Sequence, residues 1–228
     1  MSAIPAVSRV RWRPSYRLIP NRFPPIGIYD RVADPADLEA IFAVENMTNP
    51  GIRQEAGDIS LVPPQDRISG PGTTPIMSGF THLNPEGSRF SDGSYGVYYA
   101  SRTLNTAIAE TRHQRERFLG RTREAPIEVD MRAILANIAG RFHDIRGRTG
   151  LKGIYDPGSY AAGQALGRRI RATNSYGIVY DSVRRNGGEC IGIFRPPVLK
   201  NCIEGMHYCF VWDGETITTV YEKRIVAR

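Results

Sequence analysis

The stretch YGIVYDSVRRNGGECIGIF, residues 176–194, sets two short apolar runs on either side of a polar, glycine-rich turn. "YGIVYDSV" and "ECIGIF" are too short for helices and rich in β-branched and aromatic residues, so they read as strands joined directly through "RRNGG". Downstream, "HYCFVWDGETITTVYEKRIV" (207–226) folds back around Asp213-Gly214, the strongest short-range hairpin signal. Strands linked by tight turns rather than crossover helices point to an antiparallel α+β fold and away from a doubly wound parallel sheet.

Working back from this region, "SYAAGQALGRRIRAT" (159–173) has a helical repeat, and "APIEVDM" and "GRFHDI" read as two strands. "TLNTAIAETRHQRERFL" (103–119) is a helix following the strand "YGVYYAS" (95–101). Leu104, Ile108, Phe118 and Leu119 form its apolar stripe, and Glu110 lies about 200° from Ile108 at 100° per residue, among short side chains. A ligand can approach the carboxylate there, although a lone glutamate on a helix is ordinarily a solvated surface group. Arginines 112, 115, 117, 121 and 123 make the same helix basic, as either a solvated face or a contact for nucleic acid or an acidic protein partner.

The first 25 residues, with "RWRPSYRLIPNRFPP", read as a basic extended arm or irregular lead-in, since each proline lacks a donor and disfavours helix before it. "IGIYDRV" follows as a short strand with Arg31 near its end. In "DPADLEAIFAVENMT", Asp34 caps a helix, Pro35 takes its first position, and Leu38, Ile41, Phe42 and Val44 repeat along it. Residues 51–79, with "PPQDRISGPGTTP", form a long ordered loop inside one domain spanning 26–228.

The chain has 228 residues, 41% of them hydrophobic and 23% charged, with a formal net charge of +7, in the range of an ordinary globular protein. No apolar run nears the roughly 20 residues of a membrane span, and "MSAIPAVSRVRWRPSYR" lacks the apolar core of a secretory signal, so cytoplasm is expected. Cys190, Cys202 and Cys209 are too few for a disulfide framework and read as reduced thiols. His207, Cys209 and Cys202 lack metal-ligand spacing and read as packing. There is no Walker pattern, no GxGxxG, and no GxSxG elbow around Ser182. The basic charge favours acidic partners, and a nucleic-acid-binding module is the competing reading, with charge but no recognised motif behind it.

Taken in order, five pieces resemble the RES family, toxins of bacterial toxin-antitoxin pairs named for an Arg, a Glu and a Ser. They are "IYDRV" with Arg31, "EGSRFSDGSYG" with Arg89, "YYAS" with Tyr98, "NTAIAET" with Glu110, and "GIVYDSVR" with Ser182, followed by "GGECIGIFRP". Phe90 stands where the family's loop has tryptophan, and "SDGS" replaces its prolines. Neighbouring strand residues point to opposite faces, and the match to the family's "YLA" strand selects Tyr98 over Tyr99.

The resemblance implies an ADP-ribosyltransferase-like α+β core with NAD bound as substrate in a cleft and no metal. Glu110 would bind the ribose hydroxyls and face the positive charge left when nicotinamide departs. Arg31 and Arg89 would clamp the pyrophosphate, Tyr98 would pack on the nicotinamide end, and Ser182 would hydrogen-bond nearby. The ADP-ribose would pass to water, phosphate or a protein. The partner implied is an antitoxin of the class with a DNA-binding Xre-like domain, through which any DNA contact would be made. The arm and the 51–79 loop would offer a protein-docking surface.

Overall fold

A computed structural model describes residues 4–21, 27–48, 57–224 and 226. Its strands are β1 (Val7–Pro20), β2 (Tyr98–Ser101), β3 (Ile127–Asp144), β4 (Gly177–Asp181), β5 (Glu189–Ile193), β6 (Leu199–Trp212) and β7 (Ile217–Lys223). Its α-helices are α1 (Ile28–Arg31), α2 (Leu38–Thr48), α3 (Thr74–Thr81), α4 (Leu104–Thr122) and α5 (Ala161–Arg171). The strands run β1-β2-β5-β4-β3-β6-β7 with a further β1–β3 pairing, so five of them close into a ring. The α+β class and antiparallel character hold, with one parallel join among these strands, where β3 meets β4 at His143–Ile178 and Asp144–Val179.

The ring has a long side and a weak corner. β1 and β3 pair over twelve positions, from Val7–His143 to Pro20–Met131, whereas β1 meets β2 only at Tyr16–Ser101. Inside the ring, Val10 and Trp12 of β1 pack with Tyr98, Ile138, Phe142, Val179 and Ile191 beneath α2 and α3. α4 covers the opposite face of β1, β3, β6 and β7 through Ala107 and Leu119 against Met131, Phe210 and Trp212. α5 covers β4 and β5 through Leu166 and Ile170 against Ile178 and Tyr180.

Four local expectations change. Residues 7–20 are extended, as their prolines imply, but they form a full strand of the sheet rather than a lead-in. Pro14 falls at a bulge between Trp12 and Ser15 and Pro20 at the strand's last position, where a missing donor costs the ladder little. "IGIYDRV" is not a strand: Ile28–Arg31 is a short helix, burying Ile28 and Tyr29 in the ring core. "APIEVDM" and "GRFHDI" belong to one 18-residue strand, because "RAILANIA" between them keeps enough small and β-branched residues to continue it. The 51–79 segment includes 3-10 turns at Ile59–Leu61 and Pro64–Asp66 and the start of α3, while its residues 51–56 lie outside the described ones.

Other readings stand. Asp34 accepts a hydrogen bond from the amide of Ala36 at the turn leading into α2, with Pro35 first in it. Leu38 and Phe42 are buried, whereas Val44 is exposed. The hairpin at Asp213-Gly214 forms, with the Asp213 carboxylate accepting from the amides of Glu215 and Thr216. The three cysteines are buried free thiols. No helix among the described residues is long and apolar enough to cross a membrane.

Candidate functional site

Where β1 and β2 part after their single paired position, a cavity of about 350 Å³ opens between the ring and α4. Arg17 and Leu18 line it from β1, Tyr99 and Ala100 from β2, and Glu110, Gln114 and Arg115 from α4. The loop at 84–91 and Tyr160 complete its rim. Glu110 is the one acid among the lining residues, which also include Arg17, Arg89 and Arg115. That asymmetry suits an anionic ligand carrying one point of positive charge.

Glu110 is placed by helix geometry. Thr103 caps α4 by accepting from the amide of Thr106 at 3.3 Å, and Ala107 packs one face of the helix against β1 and β3. Glu110, one turn on from Ala107 and about 200° around from Ile108, turns its carboxylate into the cavity that Ala107 also lines. Phe118, expected on that stripe, is instead exposed.

Ser182 Oγ donates to Glu110 Oε1 at 2.6 Å and accepts the amides of Arg184 at 3.1 Å and Arg185 at 3.0 Å. With two amides on its lone pairs, the hydroxyl proton can point only at the glutamate. The Cys190 thiol lies 3.8 Å from the same oxygen. Glu110 Oε2 has no hydrogen-bond partner among the described residues and is left for a ligand. One turn on, burial and then Arg184 and Arg117 push the His113 imidazole pKa down, which favours its neutral form.

The 88–91 loop is held by close backbone packing. Gly163 and Gly167 recur at one-turn spacing on α5, and a Cβ on either would sit 2.3 Å from the Arg89 carbonyl oxygen or 2.1 Å from that of Phe90. Only glycine admits this approach. The Tyr99 hydroxyl accepts the Phe90 amide at 2.9 Å and bonds Ser88 Oγ at 2.8 Å, tying the loop to β2. Arg89 is buried, donating to the carbonyls of Ile154 at 2.7 Å and Asp156 at 3.3 Å. The Tyr160 ring lies between Arg89 and Arg117, each guanidinium carbon 5.1 Å from its centroid, and its hydroxyl accepts from Gln114 and Arg117.

The structure therefore brings Glu110, Ser182 and Arg89 together and separates the other two expected residues from them. Arg31 is exposed at the end of α1 and does not line the cavity. Tyr98 is fully buried in the ring core, its ring 6.3 Å from Phe80, whereas Tyr99 turns to the cavity. The register followed from a motif match, and strand alternation put the other tyrosine on the cavity face.

Arg17, by contrast with Arg31, lines the cavity. Its guanidinium carbon lies 4.6 Å over the Tyr98 ring, one terminal nitrogen reaches the Tyr99 carbonyl at 3.4 Å, and Nε has no partner. Among the described residues it has no carboxylate, and burial pushes its pKa down from the usual arginine range. A half-buried cation without a counter-ion among the described residues gains from an anionic ligand. The signal in the sequence was slight: "SYRLIP" sets an arginine between apolar neighbours at strand period. Tyr160 carried none, because its place depends on a loop path.

A family model described as the RES domain matches residues 64–213. The chain belongs to the RES domain family. The uncharacterized protein y4oC of Sinorhizobium fredii is 34% identical over 213 residues, spanning 90% of this chain and 86% of its own. A chain of the M. tuberculosis MbcT-MbcA toxin-antitoxin complex is similar at 10% identity over 86% of each chain with a TM-score of 0.39, too distant to carry site geometry across. In this RES protein the Glu110 loop-and-strand neighbourhood lies inside the matched span, and Arg17 lies before it.

Proposed function

We propose that this RES domain protein cleaves the nicotinamide–ribose bond of NAD and acts as the toxin of a toxin-antitoxin pair. The observation that carries the reading is the pairing in one cavity of Glu110, fixed through one oxygen by Ser182 and open at the other, with Arg17, which has no counter-ion among the described residues. NAD is an anionic pyrophosphate joined to a cationic pyridinium riboside, which matches several cations arranged around a single carboxylate.

In this reading Arg17 binds the pyrophosphate, in the role the resemblance gave to Arg31. Arg89 acts mainly on the protein, holding the 154–156 carbonyls and supporting the Tyr160 ring. Glu110 Oε2 accepts a ribose hydroxyl. As the carbon–nitrogen bond breaks, its electron pair leaves on the nicotinamide nitrogen and positive charge grows on the ribose, which the adjacent carboxylate stabilises. Ser182 positions that carboxylate. Tyr99 shapes the loop wall beside it, where Tyr98 was expected. Water, phosphate or a protein side chain then takes the ADP-ribose, and an Xre-like antitoxin is the expected inhibitor.

NAD labelled in its adenylate half, incubated with the full chain, separates the outcomes. Free ADP-ribose, a phosphorylated product on adding phosphate, or a labelled protein band in cell extract identifies the acceptor. Intact NAD under all three conditions contradicts the proposal.

A further inference from the structure

The outer end of β1 carries a surface that NAD cleavage does not use. Arg9, Arg11 and Arg13 alternate with the buried Val10 and Trp12 and are all exposed. On the neighbouring strand Arg141, also exposed, lies directly opposite Arg9. Like charges placed opposite one another weaken a strand pair. None of the four has an ion-pair or hydrogen-bond partner among the described residues.

Among the described residues the same segment is also an open sheet edge. The Asp144 amide bonds the Ala6 carbonyl at 2.9 Å, and the register from Val7–His143 to Trp12–Ile138 is unbroken. Antiparallel alternation therefore turns the backbone groups of Ala6, Ser8, Val10 and Trp12 toward β3 and those of Val7, Arg9 and Arg11 away. β2 touches β1 only at Tyr16, so no described strand pairs with this outward edge. Free donors and acceptors thus alternate along the residues that carry the unpaired positive charge.

We propose that the β1 edge at residues 7–13 docks an extended segment of a partner protein with acidic residues at every second position. Such a strand satisfies the backbone groups of Val7, Arg9 and Arg11, and sets its carboxylates opposite Arg9 and Arg11. A nucleic acid would meet the charges but leave the outward carbonyls facing phosphates. It would also find no stacking platform, because Trp12 is turned into the core at 6% exposure. The proposal is independent of the NAD chemistry, since the cavity residues lie beyond the bulge at Pro14.

The test uses the full chain and three fluorescein-labelled probes: a dodecapeptide alternating Glu and Thr, one of equal composition with its acids in a block, and an oligo-dT of equal length. The alternating peptide should bind at least about tenfold more tightly than the other two, and the Arg9→Glu/Arg11→Glu variant should lose about tenfold or more in affinity. Arg141→Glu, which leaves the β1 backbone intact, should weaken binding too. Amide exchange of the wild-type chain should slow at Val7, Arg9 and Arg11 when the alternating peptide is added. Equal affinity for both peptides without amide protection overturns the strand-pairing claim. Tighter oligo-dT binding makes the face a nucleic-acid surface, and no binding of any probe leaves the arginines only as guards of an exposed edge; either overturns the proposal.

Discussion

Ser182 Oγ lies 2.6 Å from Glu110 Oε1, across 72 residues of sequence, and two turn amides fix the direction of its proton. The serine therefore acts through the glutamate. Ser182→Ala should lower kcat for NAD cleavage by about tenfold to a hundredfold, with a smaller change in KM, because it loosens the group that meets developing charge. Ser182→Thr, which keeps the hydroxyl, should recover part of the loss. Unchanged kcat in a folded Ser182→Ala protein refutes the positioning role.

The two adjacent tyrosines should respond oppositely to loss of their hydroxyls. Tyr99→Phe strands the Phe90 amide and Ser88 and should destabilise the fold by about 1–3 kcal/mol. The Tyr98 hydroxyl is buried without a hydrogen-bond partner, so Tyr98→Phe should leave the urea midpoint unchanged or raise it. A larger loss at Tyr98 than at Tyr99 reverses the assignment.

Arg17 and Arg31 give a matching contrast in binding. Arg17→Gln should raise KM for NAD by about tenfold or more, as expected for a lost charge-assisted contact to pyrophosphate. Arg31→Gln should leave KM unchanged, since that side chain is exposed outside the cavity. Steady-state kinetics on the pair decides which arginine belongs to the site.

Packing of α5 under the 88–91 loop predicts a steric effect remote from the chemistry. A Cβ at Gly167 would lie 2.1 Å from the Phe90 carbonyl oxygen, so Gly167→Ala must move helix or loop and should cost about 1–3 kcal/mol. Thermal denaturation of this variant against wild type checks the magnitude.

Acid stability should depend on Asp144. Hydrogen bonds from Arg146, with a further bond from Ser8, hold its carboxyl at about 2 against the ordinary 3.8. A carboxyl lowered on folding adds stability above its unfolded value and loses it as pH falls through the folded one. Asp144→Asn should therefore flatten the loss of stability between about pH 4 and 2. Urea midpoints across that range provide the comparison.

Much of this was legible in the sequence where the signal is local. The Asp213-Gly214 hairpin, the 103–119 helix and the Asp34 turn each follow from residues within a few positions of one another. Glu110 with Ser182 was legible only as ordered motifs, since 72 residues separate them and nothing local brings them together. The β1 strand was hidden because prolines read as breakers, and only its pairing with β3 reveals that Pro14 sits at a bulge. Arg17 was hidden with it, and the sequence pattern drew attention to Arg31 and Arg89 instead. The choice between Tyr98 and Tyr99 needs the face of β2 that meets the 88–91 loop, which is a tertiary fact.

The most direct measurement is NAD turnover by purified wild-type chain and by Glu110→Gln, with folding of both checked by circular dichroism. Wild type should release nicotinamide, and Glu110→Gln should lose about a hundredfold or more of that rate while staying folded, because one positioned charge carries the stabilisation. Turnover by Glu110→Gln at the wild-type rate, or a wild-type chain that leaves NAD intact, would contradict the account.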